Sequence, residues 1–152
     1  GSEEAVVPYV RKRKEKVCDL AHLDAFAEEI KRELGHSGVL LLRGNLASGK
    51  TAFVKAFAKV LDIKEAISSP TFSILHEYEG KLFHYDIYQC GTDGFLKSGL
   101  IEKLDVDGYH LIEWGESEFE KLLHHFGIAY STIDIETMDL KRKYKVHINA
   151  YA

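Results

Sequence analysis

A chain of 152 residues, 45% apolar and 29% charged, is long enough to bury one proper core and has an ordinary globular composition. No apolar run approaches the ~20 residues of a membrane span and no secretory leader pattern is present, so a cytoplasmic location without membrane contact is expected. The net charge of −4 makes the molecule as a whole a poor match for a nucleic-acid backbone.

Gly1-Ser2 opens the chain without an initiator Met and reads as a cloning scar. The basic run Arg11-Lys12-Arg13-Lys14-Glu15-Lys16 reads as a solvated arm, which sets residues 1–18 apart from a single domain over 19–152. Cys18 and Cys90 lack C-x-x-C spacing and read as two reduced thiols. From Asp19 to Leu34, Leu20, Leu23, Phe26, Ala27, Ile30 and Leu34 recur at helical spacing, with Asp19 as N-cap and Gly35 as stop. Gly38 to Arg43 is an apolar run of strand type, and Lys50 to Leu61 reads as a helix with Phe53, Phe57, Val60 and Leu61 on its core face.

Between that strand and that helix lies Gly44-Asn45-Leu46-Ala47-Ser48-Gly49-Lys50-Thr51, a full match to G-x-x-x-x-G-K-[ST]. Glycines at both ends let the backbone turn its N–H groups inward onto phosphate oxygens. Lys50 reaches β- and γ-phosphates, the Thr51 hydroxyl is placed for Mg²⁺, and the helix N-terminus faces the anion. Gly44, Asn45, Ala47, Ser48, Gly49, Lys50, Thr51 and Ala52 form the expected nucleotide-binding set.

Ser68-Ser69-Pro70 signals a loop. Thr71 to Tyr78 and Lys81 to Tyr88 read extended around a tight Glu79-Gly80 turn, an inserted β-hairpin where a simple βαβ array would carry a helix. Thr92 to Leu104 reads as a short helix loosened by Gly94 and Gly99, and Tyr109 to Trp114 as a buried strand ending in an acid. Glu116 to Phe126 is amphipathic through Phe119, Leu122, Leu123 and Phe126, and Tyr130 to Glu136 with Lys143 to Tyr151 forms a C-terminal hairpin. These elements predict a mixed sheet, with antiparallel pairing beside the parallel strand at the phosphate loop.

Hydrolysis of a bound nucleotide also needs an acid near Mg²⁺ and a group that orients water. Glu113 ends an apolar strand, and Asp86 sits within Phe83-His84-Tyr85-Asp86-Ile87-Tyr88, where a carboxylate is costly without a cation or donors. Either acid can instead be a surface group. Thr71, after Ser69-Pro70, suits a γ-phosphate switch or an ST turn that caps its own backbone. His84 shares a strand face with Asp86 and either orients it or is a core histidine. Trp114 either lines the site or packs as core. No arginine occurs between Arg43 and Arg142, which argues against a small-molecule kinase and removes an obvious arginine finger in cis. Slow hydrolysis without a partner is expected.

In order, the phosphate loop, Ser69-Pro70-Thr71-Phe72, His84-Tyr85-Asp86-Ile87-Tyr88 and Ile112-Glu113-Trp114 resemble the bacterial TsaE family, over about Asp19 to Glu120. The resemblance implies a three-layer α/β sandwich of the phosphate-loop class with a mixed parallel and antiparallel sheet, and a small ATPase that works with TsaD and TsaB to put a threonylcarbamoyl group on the adenosine beside the tRNA anticodon, meeting tRNA through that complex. It implies ATP and Mg²⁺ as ligands, Thr51 and Glu113 on the metal, Lys50 on the phosphates, and Asp86 supporting hydrolysis. It places Thr71 in a switch-like loop and Trp114 near the site. ATP rather than GTP follows from the resemblance and from the lack of an N-K-x-D motif. The chain departs from the family at Ala47-Ser48, where Gly-Ala is usual, and at Gln89, where arginine is usual. The alternative is a nucleotide-gated binding module whose ATP-bound state docks a partner, hydrolysis being incidental.

Overall fold

The structure, a computed structural model, describes residues 10–45, 48–68 and 73–151. Seven strands form one sheet: β1 (Lys12–Cys18), β2 (Gly38–Arg43), β3 (Leu75–Tyr78), β4 (Leu82–Asp86), β5 (Tyr109–Glu113), β6 (Tyr130–Met138) and β7 (Lys141–Tyr151), in the order β1-β7-β6-β2-β5-β4-β3. The central four strands run parallel, while β7 and β1 on one flank and β3 on the other are antiparallel. The helices are α1 (Leu23–Leu34), α2 (Lys50–Val60), α3 (Gly91–Lys97) and α4 (Ser117–His125).

Strand alternation sorts the helices into two outer layers. Leu40, Leu42, Leu111, Ile133, Tyr144 and Val146 pack with Phe26 and Ile30 of α1 and Phe53 and Phe57 of α2. Val39, Leu41, Tyr85 and Ile112 face the opposite way onto Phe95 of α3 and Phe119 and Leu123 of α4. Each large apolar side chain buried this way contributes roughly 1.5–3 kcal/mol, so the sheet is fixed from both faces. This is the three-layer mixed α/β sandwich expected from the sequence.

Several elements are shorter than their patterns. Asp19 caps a 3₁₀ turn (Leu20–His22), accepting from the His22 N–H at 3.2 Å, and α1 begins only at Leu23. The Thr92 to Leu104 segment splits into α3 and a 3₁₀ turn (Glu102–Asp105), with Gly99 (φ +75) between them. The inserted hairpin is present: β3 pairs antiparallel with β4, and positive φ at both Glu79 and Gly80 is the mark of a type I′ turn.

The arm expected over 1–18 requires correction from Lys12 onward. Residues 12–18 are an edge strand of the same sheet, paired along their length with β7. Only Cys18 is buried in it, so no apolar alternation betrays the strand. Lysines of the basic run are held by acids of α1, Lys12 by Glu33 and Lys14 by Glu29 at 2.5 Å, and its one acid, Glu15, pairs with Lys143 of β7 at 3.2 Å.

Candidate functional site

Parallel strands deliver their C-terminal ends to one edge of the sheet, where open α/β sheets bind ligands. In register across that edge stand Leu42 of β2, Glu113 of β5 and Asp86 of β4. By alternation His84, Asp86 and Glu113 face the side covered by α2, whose first residue is Lys50.

The loop joining β2 to α2 has little room. A Cβ on Gly44 would stand 2.5 Å from Ser48 Oγ and 2.8 Å from the Ile135 carbonyl. Gly49, at the N-cap of α2, holds φ at +110°, outside the range of side-chain-bearing residues. Lys50 is only 5% exposed, and its ammonium donates to the carbonyls of Gly44 (2.7 Å) and Asn45 (3.0 Å). It also lies 4.0 Å from the centre of the Trp114 ring. Burial pushes the Lys50 pKa below the ordinary lysine value, while Glu113, Asp86 and Glu116 pull it back up. A cation with three acids around it is thus placed at the mouth of the loop.

The acids are held differently. Glu113 is buried, and Oε2 accepts from His84 Nε2 at 2.5 Å. Asp86 is half-buried, and Oδ1 accepts from the Tyr88 N–H at 2.9 Å in a local turn. His84 therefore orients Glu113 rather than Asp86. Trp114 adopts φ +71°, turning the chain just after Glu113, and its ring meets Tyr88 (4.6 Å between centres) as well as Lys50. Thr51 and Ala52 occupy the first turn of α2, both half-buried. Ala47, Ser69, Pro70 and Thr71 lie outside the described residues.

Sequence reasoning missed two residues. Glu116 precedes α4 and reads as an ordinary helix-start acid, yet it acts on Lys50. Arg142, from the far end of the chain, donates Nε to the Ser48 carbonyl at 2.9 Å. The arginine gap is real in sequence but is closed in space. Beside Gly49 and Ala52 a cavity of about 340 Å³ opens, bounded by Cys18, Leu20, Leu140, Arg142 and Tyr144.

Fold and site together define an α/β protein with a strand–loop–helix element of sequence G-x-x-x-x-G-K-[ST] at the carboxyl edge of a mixed sheet. The family model described as threonylcarbamoyl adenosine biosynthesis protein TsaE matches residues 17–145, and the chain belongs to that family. It is similar to the tRNA threonylcarbamoyladenosine biosynthesis protein TsaE of Aquifex aeolicus, 53% identical over 97 residues, covering 60% of this chain and 68% of that one. The Treponema pallidum protein of the same description is 43% identical over 88 residues, covering 56% of this chain and 65% of that one. The chain thus matches about two thirds of the length of these relatives. A crystal structure of Bacillus subtilis YdiB superposes with a TM-score of 0.66 at 25% identity, covering 91% of this chain and 86% of that one. No helix among the described residues is long and apolar enough to cross a membrane.

Proposed function

We propose that this chain is an accessory ATPase of tRNA threonylcarbamoylation, hydrolysing ATP with Mg²⁺ in a complex with TsaD and TsaB. The observation that carries the reading is the setting of Lys50, between two loop carbonyls and under Glu113 and Asp86 at the ends of adjoining strands. An incoming polyphosphate offers Lys50 full negative charges in place of two neutral carbonyls, so its ammonium moves to the phosphate. The N–H groups at the start of α2 complete the anion site.

Thr51 and Glu113 provide hydroxyl and carboxylate oxygens, the hard donors that Mg²⁺ takes, and they would hold it there. Among the described residues no group of three or more His, Cys, Asp or Glu encloses a metal. When bound, Mg²⁺ supplies charge neutralisation and polarises phosphate oxygens. Asp86, with one oxygen committed to the Tyr88 N–H, is the acid available to orient a water.

Dependence on a partner fits the arginines. Arg43 is held by Asp134 (2.9 and 3.0 Å) and Glu120, and Arg142 donates to the Ser48 and Lys141 carbonyls. Neither approaches the site as a free finger, so hydrolysis is slow until a partner completes it. The Ser69-Pro70-Thr71 segment is the proposed switch-like loop, and tRNA is met through the complex.

The test is ATP hydrolysis with and without a TsaD–TsaB pair, comparing the native chain with Lys50→Ala and Glu113→Ala. Partner-dependent hydrolysis lost in both variants supports the proposal. ATP binding without hydrolysis in either setting replaces it with the nucleotide-gated docking module.

A further inference from the structure

We infer that Arg142 is a positioning residue of the phosphate loop, fixing from outside the peptide that turns an N–H toward the anion. The inference rests on the nucleotide reading above but makes a claim that holds without ligand. Arg142 lies on β7, directly across from Cys18 of the edge strand β1, and reaches 94 residues back along the chain to donate Nε to the Ser48 carbonyl at 2.9 Å. Its Nη1 donates to the carbonyl of Lys141 at 3.0 Å, which ties the guanidinium plane to its own strand.

A trans peptide is planar, and its C=O and N–H point in opposite directions. Holding the Ser48 carbonyl against Arg142 therefore aims the Gly49 N–H the other way, away from Arg142. Gly49 is the N-cap of α2 and needs that orientation at φ +110°, a conformation its own sequence does not enforce. Nothing else described holds this peptide. Ser48 Oγ is buried without a hydrogen-bond partner, and the other hydrogen bond near it runs from its own N–H to the Asn45 carbonyl at 3.0 Å. A Cβ at Gly49 would lie 3.6 Å from Arg142 Nε, so the guanidinium packs against the turn it braces. The C-terminal hairpin and the edge strand thus reach the loop through one side chain. Loops of this type gain affinity when their N–H groups are already aimed before the anion arrives.

The experiment compares native protein, Arg142→Ala and Arg142→Lys in two assays. The first measures binding of ATP and of inorganic tripolyphosphate, which has no base or ribose. The second measures ¹⁵N order parameters at Gly49 and Lys50 in ligand-free protein, with hydrogen exchange of β2 and β5 amides as an internal measure of global stability. Arg142→Ala should weaken ATP and tripolyphosphate by a common factor of about ten, as expected for losing one charge-assisted hydrogen bond. Order parameters at Gly49 and Lys50 should fall while the β2 and β5 amides stay protected from exchange. Arg142→Lys, which keeps a donor for the Ser48 carbonyl, should recover part of both effects. Loss of ATP binding with tripolyphosphate unchanged would overturn the inference, placing Arg142 on the nucleoside instead. Unchanged order parameters at Gly49, or loss of protection throughout the sheet, would also overturn it. Native protein that binds neither probe sinks the nucleotide reading alone, because the order-parameter result stands without ligand.

Discussion

His84 Nε2 and Glu113 Oε2 lie 2.5 Å apart on neighbouring parallel strands, and His84 has no solvent exposure. An ionised carboxylate only accepts, so Nε2 carries the proton and Nδ1 is left as a buried nitrogen without a partner. Burying such a nitrogen has a cost, offset here by fixing one oxygen of Glu113 and leaving the other for the site.

Replacing His84 by Phe should keep the volume and remove the bond. Glu113 is then a buried acid without its donor, and a loss of roughly 1–3 kcal/mol in stability is expected. Apparent affinity for Mg²⁺ in the nucleotide complex should fall about tenfold or more, as it does when carboxylate–histidine contacts behind a metal ligand are broken. His84→Asn, which retains a donor, should lose less. A Mg²⁺ titration of nucleotide binding decides it, and equal behaviour of Phe and native chains would show that the bond orients nothing.

The single tryptophan gives a direct signal of the loop. Lys50 Nζ lies over the Trp114 ring at 4.0 Å, a contact worth ~0.5–2 kcal/mol. Polyphosphate draws the ammonium off that ring, so Trp114 emission should change on adding ATP, and Lys50→Ala should shift the ligand-free spectrum and abolish the ATP response. Identical emission with and without saturating ATP in the native protein would mean that Lys50 stays where it is.

The strand–loop–helix, the hairpin at Glu79-Gly80 and the two strand-end acids were legible because each has a local signature: apolar runs, fixed glycines, a turn that demands positive φ. Edge strand β1 was not, because its stability comes from backbone pairing with β7 and from ion pairs to α1, and its sequence looks like a charged tail. Arg142 was hidden for a different reason. Its neighbours in sequence are three lysines and a tyrosine on a hairpin, and only the β6–β7 geometry brings it to Ser48. Of the two readings of His84, its place in the core holds and its pairing with Asp86 does not, since strand periodicity fixes the face and says nothing of which cross-strand neighbour the ring reaches.

The β1 finding has its own test. Deleting residues 1–18 removes seven paired positions, uncovers the edge of β7 and takes Cys18 from the core. An uncovered edge strand invites association. The truncated chain should melt several degrees lower, as expected for a domain of this size losing about 2 kcal/mol, and should self-associate more than the full chain does. Unchanged melting and sedimentation would return residues 12–18 to the status of an arm.

Acid should weaken the second core through His110. Burial lowers its pKa from the ordinary 6.5, and nearby Lys103 adds to this, against a smaller upward pull from the Val106 carbonyl. Both ring nitrogens are satisfied in the neutral form: Nε2 donates to Val106 O at 2.7 Å and Nδ1 accepts from Tyr85 OH at 2.7 Å. The ring also stacks on Phe83 at 4.5 Å. Because the folded pKa lies below the unfolded one, the unfolded chain takes up the proton first. The contribution is therefore complete above pH 6.5 and is lost as pH falls through the folded value. Urea midpoints should drop between pH 7.5 and pH 5, and His110→Gln should start less stable but show a shallower drop. Parallel pH profiles for the two chains would acquit His110.

Gly44 offers the most local test of the loop. An added Cβ would press 2.5 Å from Ser48 Oγ and 2.8 Å from the Ile135 carbonyl. The first is the end of a short side chain and can rotate; the second is backbone of β6, which cannot move without disturbing its pairing with β2. Gly44→Ala should therefore cost about 1–3 kcal/mol through overpacking, and it should weaken ATP binding more than the stability loss explains, because the Gly44 carbonyl is one of the two that hold Lys50. Gly44→Ala combined with Ser48→Ala removes the first clash and keeps the second. If the double variant regains most of the stability but not the ATP affinity, the Ile135 contact sets the loop's shape. Recovery of both would assign the whole constraint to Ser48.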